Sequence, residues 1–100
     1  MTTKNFTIYQ ITEKSARRAY GFESYDFAKE HGFDFTDYTA MWTGETYGAN
    51  DTEMLENLFC EFNTNRPVNF TGHSLSVSDI VALDGTYYYC DSFGWEKISF

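Results

Sequence analysis

The chain has 100 residues, 42% of them hydrophobic and 20% aromatic, with 8 Tyr, 10 Phe and a net charge of −8. That length and that supply of large rings exclude a disordered segment and suit one small domain, residues 1–100, with a hydrophobic core of its own. The acidic balance excludes strong electrostatic binding to duplex DNA, which rests on Lys and Arg contacts to phosphate, and no apolar run approaches the about 18 residues of a membrane span.

The charge is unevenly placed. Residues 1–22 carry Lys4, Lys14, Arg17 and Arg18 against Glu13, whereas residues 23–61 carry ten carboxylates against Lys29 alone. Asn5 to Ile11 alternates as an opening strand, with Phe6 and Ile8 on one face and Tyr9 and Ile11 on the other. Thr12 to Tyr20 is a basic, solvated helical turn; its sharper reading is a docking patch for an acidic surface or a phosphate. Ser24 suits a helix N-cap, Asp26 its first turn and Gly32 its C-terminal stop, with Phe27 and Ala28 inward.

Tyr38 to Thr43 alternates again, so Tyr38, Ala40 and Trp42 form the inward aromatic face of a strand, and the glycines at Gly44 and Gly48 predict a loop. The clearest helix runs from about Asp51 to Asn63. Met54, Leu55, Leu58, Phe59 and Phe62 make one apolar stripe, while Glu53, Glu56, Asn57 and Glu61 take the other side. Asn50 followed by Glu53 reads as a capping pair, and Pro67 forbids simple continuation.

Asp84-Gly85 lies between Ile80–Leu83 and Thr86–Cys90, the pattern of a hairpin with a type I′ turn. A two-residue turn sets Leu83 opposite Thr86, Val81 opposite Tyr88 and Asp79 opposite Cys90. Both faces of the pair are apolar, so either both are covered or the sheet is strongly curved. Ser76 to Asp79 reads as a tight entry held by side-chain to backbone bonds, Asp91-Ser92-Phe93-Gly94 as a second turn, and Trp95 to Phe100 as a third strand.

The run Gly72, Ser74-Leu75-Ser76-Val77-Ser78-Asp79-Ile80, then Tyr89 and Asp91-Ser92-Phe93-Gly94-Trp95, resembles the C-terminal signature of the YodL-like domain. Weaker matches lie at Tyr9-Gln10-Ile11, Tyr20, Phe22, Ser24-Tyr25 and Glu30-His31-Gly32. The resemblance implies a context: conjugative and other mobile elements of gut-dwelling Gram-positive bacteria, where the domain occurs alone or within larger chains. It implies no activity and carries over no functional residue.

His31 and His73, the two histidines, stand at no metal-ligand spacing from each other or from a cysteine, so no metal and no cofactor is expected. Cys60 and Cys90, without a secretory signal, read as thiols of a cytoplasmic protein. His73, Cys90 and Asp79 or Asp91 supply the residue types of a cysteine hydrolase, but a carboxylate opposite Cys90 disfavours the thiolate. Ser76, Ser78, Asp79, Asp91 and Ser92 could line a polar pocket with His73. The rings of Phe93, Trp95 and Tyr87 could stack bases, although the accompanying basic groove is missing.

These readings converge on an α+β fold: a small, curved, mostly antiparallel sheet, the amphipathic helix packed on it, and a C-terminal β-meander. The expected function is non-catalytic, a protein-interaction module whose partner has a basic surface. Glu53, Glu56 and Glu61 are then the candidate acidic face, whose plainer role is solubility; in the sharpest form the acidic stretch Glu23–Glu61 imitates nucleic acid and occupies a basic surface of host machinery. The alternative is a small hydrolase or transferase using His73, Cys90 and Asp91.

Overall fold

The computed structural model describes residues 2–99; Phe100, expected at the end of the third meander strand, lies outside them. Five strands form an open sheet: β1 (Thr2–Ile11), β2 (Tyr38–Gly48), β3 (Ile80–Leu83), β4 (Thr86–Cys90) and β5 (Trp95–Ile98). Their spatial order is β2-β1-β3-β4-β5, and every pairing is antiparallel. Three helices complete the described chain: α1 (Lys14–Tyr20), α2 (Tyr25–Glu30) and α3 (Asp51–Thr64), with a 3-10 turn at Phe35–Asp37 before β2. The architecture is α+β.

Alternation along β1 builds two cores. Phe6 and Ile8 join Val81 and Leu83 beneath Met54, Leu55, Leu58 and Phe62 of α3. Ile11 joins Tyr38, Ile80, Tyr89 and Ile98 on the opposite face, where Ala16 and Tyr20 of α1 and Ala28 of α2 cover them. All four residues of β3 are buried because both of its faces are covered, which explains the unbroken apolar run Ile80–Leu83.

The hairpin has its expected register, Leu83 with Thr86 and Val81 with Tyr88. Asp84 and Gly85 both have positive φ, 47° and 88°, as a type I′ turn requires. Asn50 caps α3 by accepting the Glu53 N–H at 2.9 Å, and Ser24 caps α2 by accepting that of Phe27 at 3.2 Å.

Strand β2 departs from expectation twice. Gly44 and Gly48 lie within the strand, not in a loop. A Cβ on Gly44 would meet the Phe6 ring at 3.0 Å, and one on Gly48 would meet Met54 at 3.1 Å, so each glycine is a close approach between layers. Nor do Tyr38, Ala40 and Trp42 share one buried face. The register shifts between Ile8 and Tyr9, where Trp42 and then Ala40 are the partners. The bulge at Met41 therefore sends Tyr38 to one core and Trp42 to the other, and leaves Ala40 exposed. Phe27 and Phe59, both expected inside, are half-buried at the margins. Phe27 stacks on His31 with centroids 3.8 Å apart, and Phe59 meets the edge of Trp95.

Candidate functional site

The polar residues of the 72–79 segment gather around one buried carboxyl. Ser76, Val77, Ser78 and Asp79 make a turn closed by the Asp79 N–H donating to the Ser76 carbonyl at 3.0 Å. Ser78 takes the third position with φ of 85°, a conformation costly for a side chain other than glycine. The Ser78 N–H then donates to the Cys90 carbonyl while the Cys90 N–H donates to that of Asp79, so two residues share one partner in a bulge at the mouth of the β3–β4 hairpin.

That bulge turns the Asp79 side chain inward, where it is 1% exposed. Its Oδ2 accepts the Ser76 N–H at 2.9 Å and the Gln10 Nε2–H at 3.0 Å, and its Oδ1 lies 3.7 Å from His73 Nε2. Burial pushes this carboxyl up to about 8, against the opposing pull of the Ser76 N–H, the Gln10 amide and the Arg17 charge. The Gln10 amide also donates to the His73 carbonyl at 2.9 Å, which uses both of its hydrogens. The 3.3 Å approach of Gln10 Nε2 to His73 Nδ1 is then contact only, and Nδ1–H donates to the Ser74 carbonyl at 2.7 Å. This tautomer points Nε2 at Asp79.

Gln10 Oε1 is buried and accepts no hydrogen bond among the described residues. A Cβ at Gly72 would stand 2.2 Å from it, so Gly72 is the residue that leaves room for the amide. Beside this cluster the Phe22 backbone is also left-handed, φ 64°, and its N–H donates to Ser78 Oγ at 3.0 Å. The Phe22 ring is 58% exposed and its centroid lies 5.7 Å from that of His73. Tyr38 closes the inner side, donating to the Ser78 carbonyl at 2.6 Å.

The remaining candidates lie elsewhere. Asp91 organises the β4–β5 turn: its Oδ1 accepts the Ser92 N–H at 2.7 Å and the Tyr25 N–H at 3.4 Å, and its own N–H donates to the Gly94 carbonyl. Ser92 is exposed and Phe93 is 98% exposed at the tip. Trp95 is half-buried against Phe59, and Tyr87 is half-buried beside Tyr9 and Phe35, so the three rings do not form one stacking platform. Cys90 is buried, and its thiol is pushed up to about 12 by burial and then by the charges of Asp79, Glu56 and Asp91. Among the described residues no hydrogen bond or ion pair joins His73 to Cys90 or Asp91. On α3, Glu53, Glu56 and Glu61 are exposed, and none is in an ion pair among the described residues. Among the described residues no group of three or more His, Cys, Asp or Glu could hold a metal ion, and no helix is long and apolar enough to cross a membrane.

A family model, the YodL-like domain, matches residues 5–100. The chain belongs to the YodL-like domain family. Neither a curated protein nor a solved structure matches it. The structure gives the quoted YodL-like run a physical meaning: Gly72, Ser76, Ser78 and Asp79 build the turn, the bulge and the buried carboxyl, while Asp91 and Gly94 build the next turn. Gln10 and Phe22, absent from the candidate residues, complete this YodL-like cluster. Gln10 was legible as a polar residue on the Phe6/Ile8 face of an otherwise alternating strand; nothing local marked the backbone of Phe22.

Proposed function

We propose that the chain is a non-catalytic protein-interaction module of a bacterial mobile element, one domain over residues 1–100, acting in the cytoplasm on a partner with a basic surface. The observation that carries this reading is the exposure of Glu53, Glu56 and Glu61, none in an ion pair among the described residues, on a helix whose other side is committed to the core. Exposed like charges without cations cost stability through self-repulsion, and a basic partner would relieve it. The buried, high-pKa thiol of Cys90 counts against the cysteine-nucleophile alternative, because the thiolate is the reactive form. The Asp79 carboxyl is in turn engaged by the Gln10 amide of β1 and the Ser76 N–H, and the His73 Nδ1–H by the Ser74 carbonyl.

The test is capture of partners at about 50 mM and about 300 mM salt, a range over which screening of exposed charges strengthens markedly. Wild type and a variant with Glu53→Gln, Glu56→Gln and Glu61→Gln are compared. The expected result is a partner lost at high salt and lost in the variant. Equal retention under all four conditions would remove the acidic face as the binding surface.

A further inference from the structure

We infer that the free edge of β2, together with the groove between it and α3, is a docking site for an extended, lysine- or arginine-bearing segment of a partner protein, which adds to the sheet as a sixth strand. This rests on the interaction-module reading above and specifies its surface.

Strand β2 stands at the end of the sheet order and, among the described residues, pairs only with β1. In β1, Asn5 turns both backbone groups toward β3, accepting the Asp84 N–H at its carbonyl and donating its N–H to the Asp84 side chain. Antiparallel ladders alternate, so Lys4 and Phe6 face β2 and bond their partners Thr46 and Gly44. The backbone groups of Thr43, Glu45 and Tyr47 then point away from the sheet. Asn57 of α3 bears this out: its Nδ2 donates to the Tyr47 carbonyl at 3.1 Å, standing where a neighbouring strand would stand. Thr43 and Glu45 have no such cover among the described residues.

Edges of this kind are usually guarded by proline, lysine or brevity. Strand β2 has 11 residues, no proline and no lysine, and below the bulge at Met41 its guard is the single charge of Glu45. The other edge, β5, spans 4 residues and carries Lys97. Beside the β2 edge lies a groove of about 310 Å³ lined by Glu45 and Tyr47 from the strand and by Asn57, Cys60 and Glu61 from α3. An added strand would present alternate side chains to the two sides of the sheet, one set toward Glu61 and the other toward Glu45 and the half-open ring of Tyr47. Both sets meet a carboxylate, and Tyr47 offers a cation a ring face. The same charges disfavour a second copy, since pairing β2 with itself about Glu45 brings like charges together.

The probe is a short peptide of alternating lysine and valine, with an alternating glutamate–valine peptide and an N-methylated lysine–valine peptide as controls. Binding is followed by amide hydrogen exchange on the wild-type chain. The expected result is that only the unmethylated lysine peptide slows exchange at Thr43 and Glu45, with affinity falling as salt rises. Thr43→Pro, which removes an outward N–H, should weaken binding about tenfold, as loss of one or two net hydrogen bonds predicts, and keep the fold's melting transition. Equal binding of the methylated peptide, or protection elsewhere, overturns the edge and leaves the basic-partner reading intact. Failure of every lysine peptide to bind overturns both. Protection of Thr43 and Glu45 that grows with protein concentration alone would make the occupant a second copy and overturn the proposal.

Discussion

Asp79 links burial to a measurable pH dependence. Its carboxyl is raised to about 8 in the folded chain, whereas an unfolded aspartate titrates near about 3.9. Between those values the native state holds a proton that the unfolded state has released, so stability falls as pH rises from about 4 to about 8 and then levels. Asp51 acts the other way and lower. Its carboxyl is held below the usual range by Lys4 and Tyr88, so its contribution is present above about pH 4 and is lost on further acidification. Thermal melts of Asp79→Asn should lack the wild-type decline between about pH 5 and pH 8. Parallel declines would mean that Asp79 is ionised in the native state throughout. A second residue-level test uses the thiols: exposed Cys60 should react with a maleimide in the folded protein, and buried Cys90 only on unfolding. Rapid reaction of both would return Cys90 to the list of functional groups. Asp79 and His73 were legible as site-like from the density of short polar residues around them. The pairing of Gln10 with them was not, because the sequence does not say which strand end meets residue 73.

Among the elements, α3 and the β3–β4 hairpin were readable because their signals are local: a stripe at helical spacing, a cap, and an Asp-Gly pair. Gly85→Val should cost about 1–2 kcal/mol in urea titration, since a Cβ there meets nothing within 4 Å and the whole penalty is the left-handed backbone. A near-neutral result would show that the turn relaxes to another type. Leu58→Ala should cost about 2–5 kcal/mol through lost burial and a residual cavity, and Glu56→Ala should stay within about 0.5 kcal/mol. Equal costs would mean that the helix faces have been exchanged. Strand β2 was misread for a non-local reason. Its glycines are set by the Phe6 ring and by Met54, and its bulge by the need to serve both cores, none of which is written within residues 38–48.

For the whole molecule, the sheet with a core on each face explains the aromatic content, since each layer of rings has a separate place to go. It does not explain the charge of −8. Lys4 with Asp51 and Lys29 with Asp26 are the ion pairs between lysine and carboxylate among the described residues, and the second is exposed. Raising salt from about 10 mM to about 300 mM should therefore raise the melting temperature, because screening shortens the reach of the repulsion. The rise should be smaller once Glu53, Glu56 and Glu61 are Gln. A melting temperature indifferent to salt in both proteins would show that the carboxylates lie too far apart to repel one another.

The sheet order has a mechanical corollary. Strands β1 and β2 pair within the first half of the chain and β3, β4 and β5 within residues 80–98, and among the described residues the ladder that joins the two sets places Phe6–Tyr9 of β1 beside Ile80–Leu83 of β3. The chain just after α3 lies at the surface, with Val68 fully exposed. A cut at Val68 would thus yield two pieces, one with the β1–β2 pair and the larger share of both cores, the other with the β3–β4–β5 meander and the remainder. Mixed together, they should recombine along the β1–β3 seam, which makes this chain a candidate for division into complementing fragments.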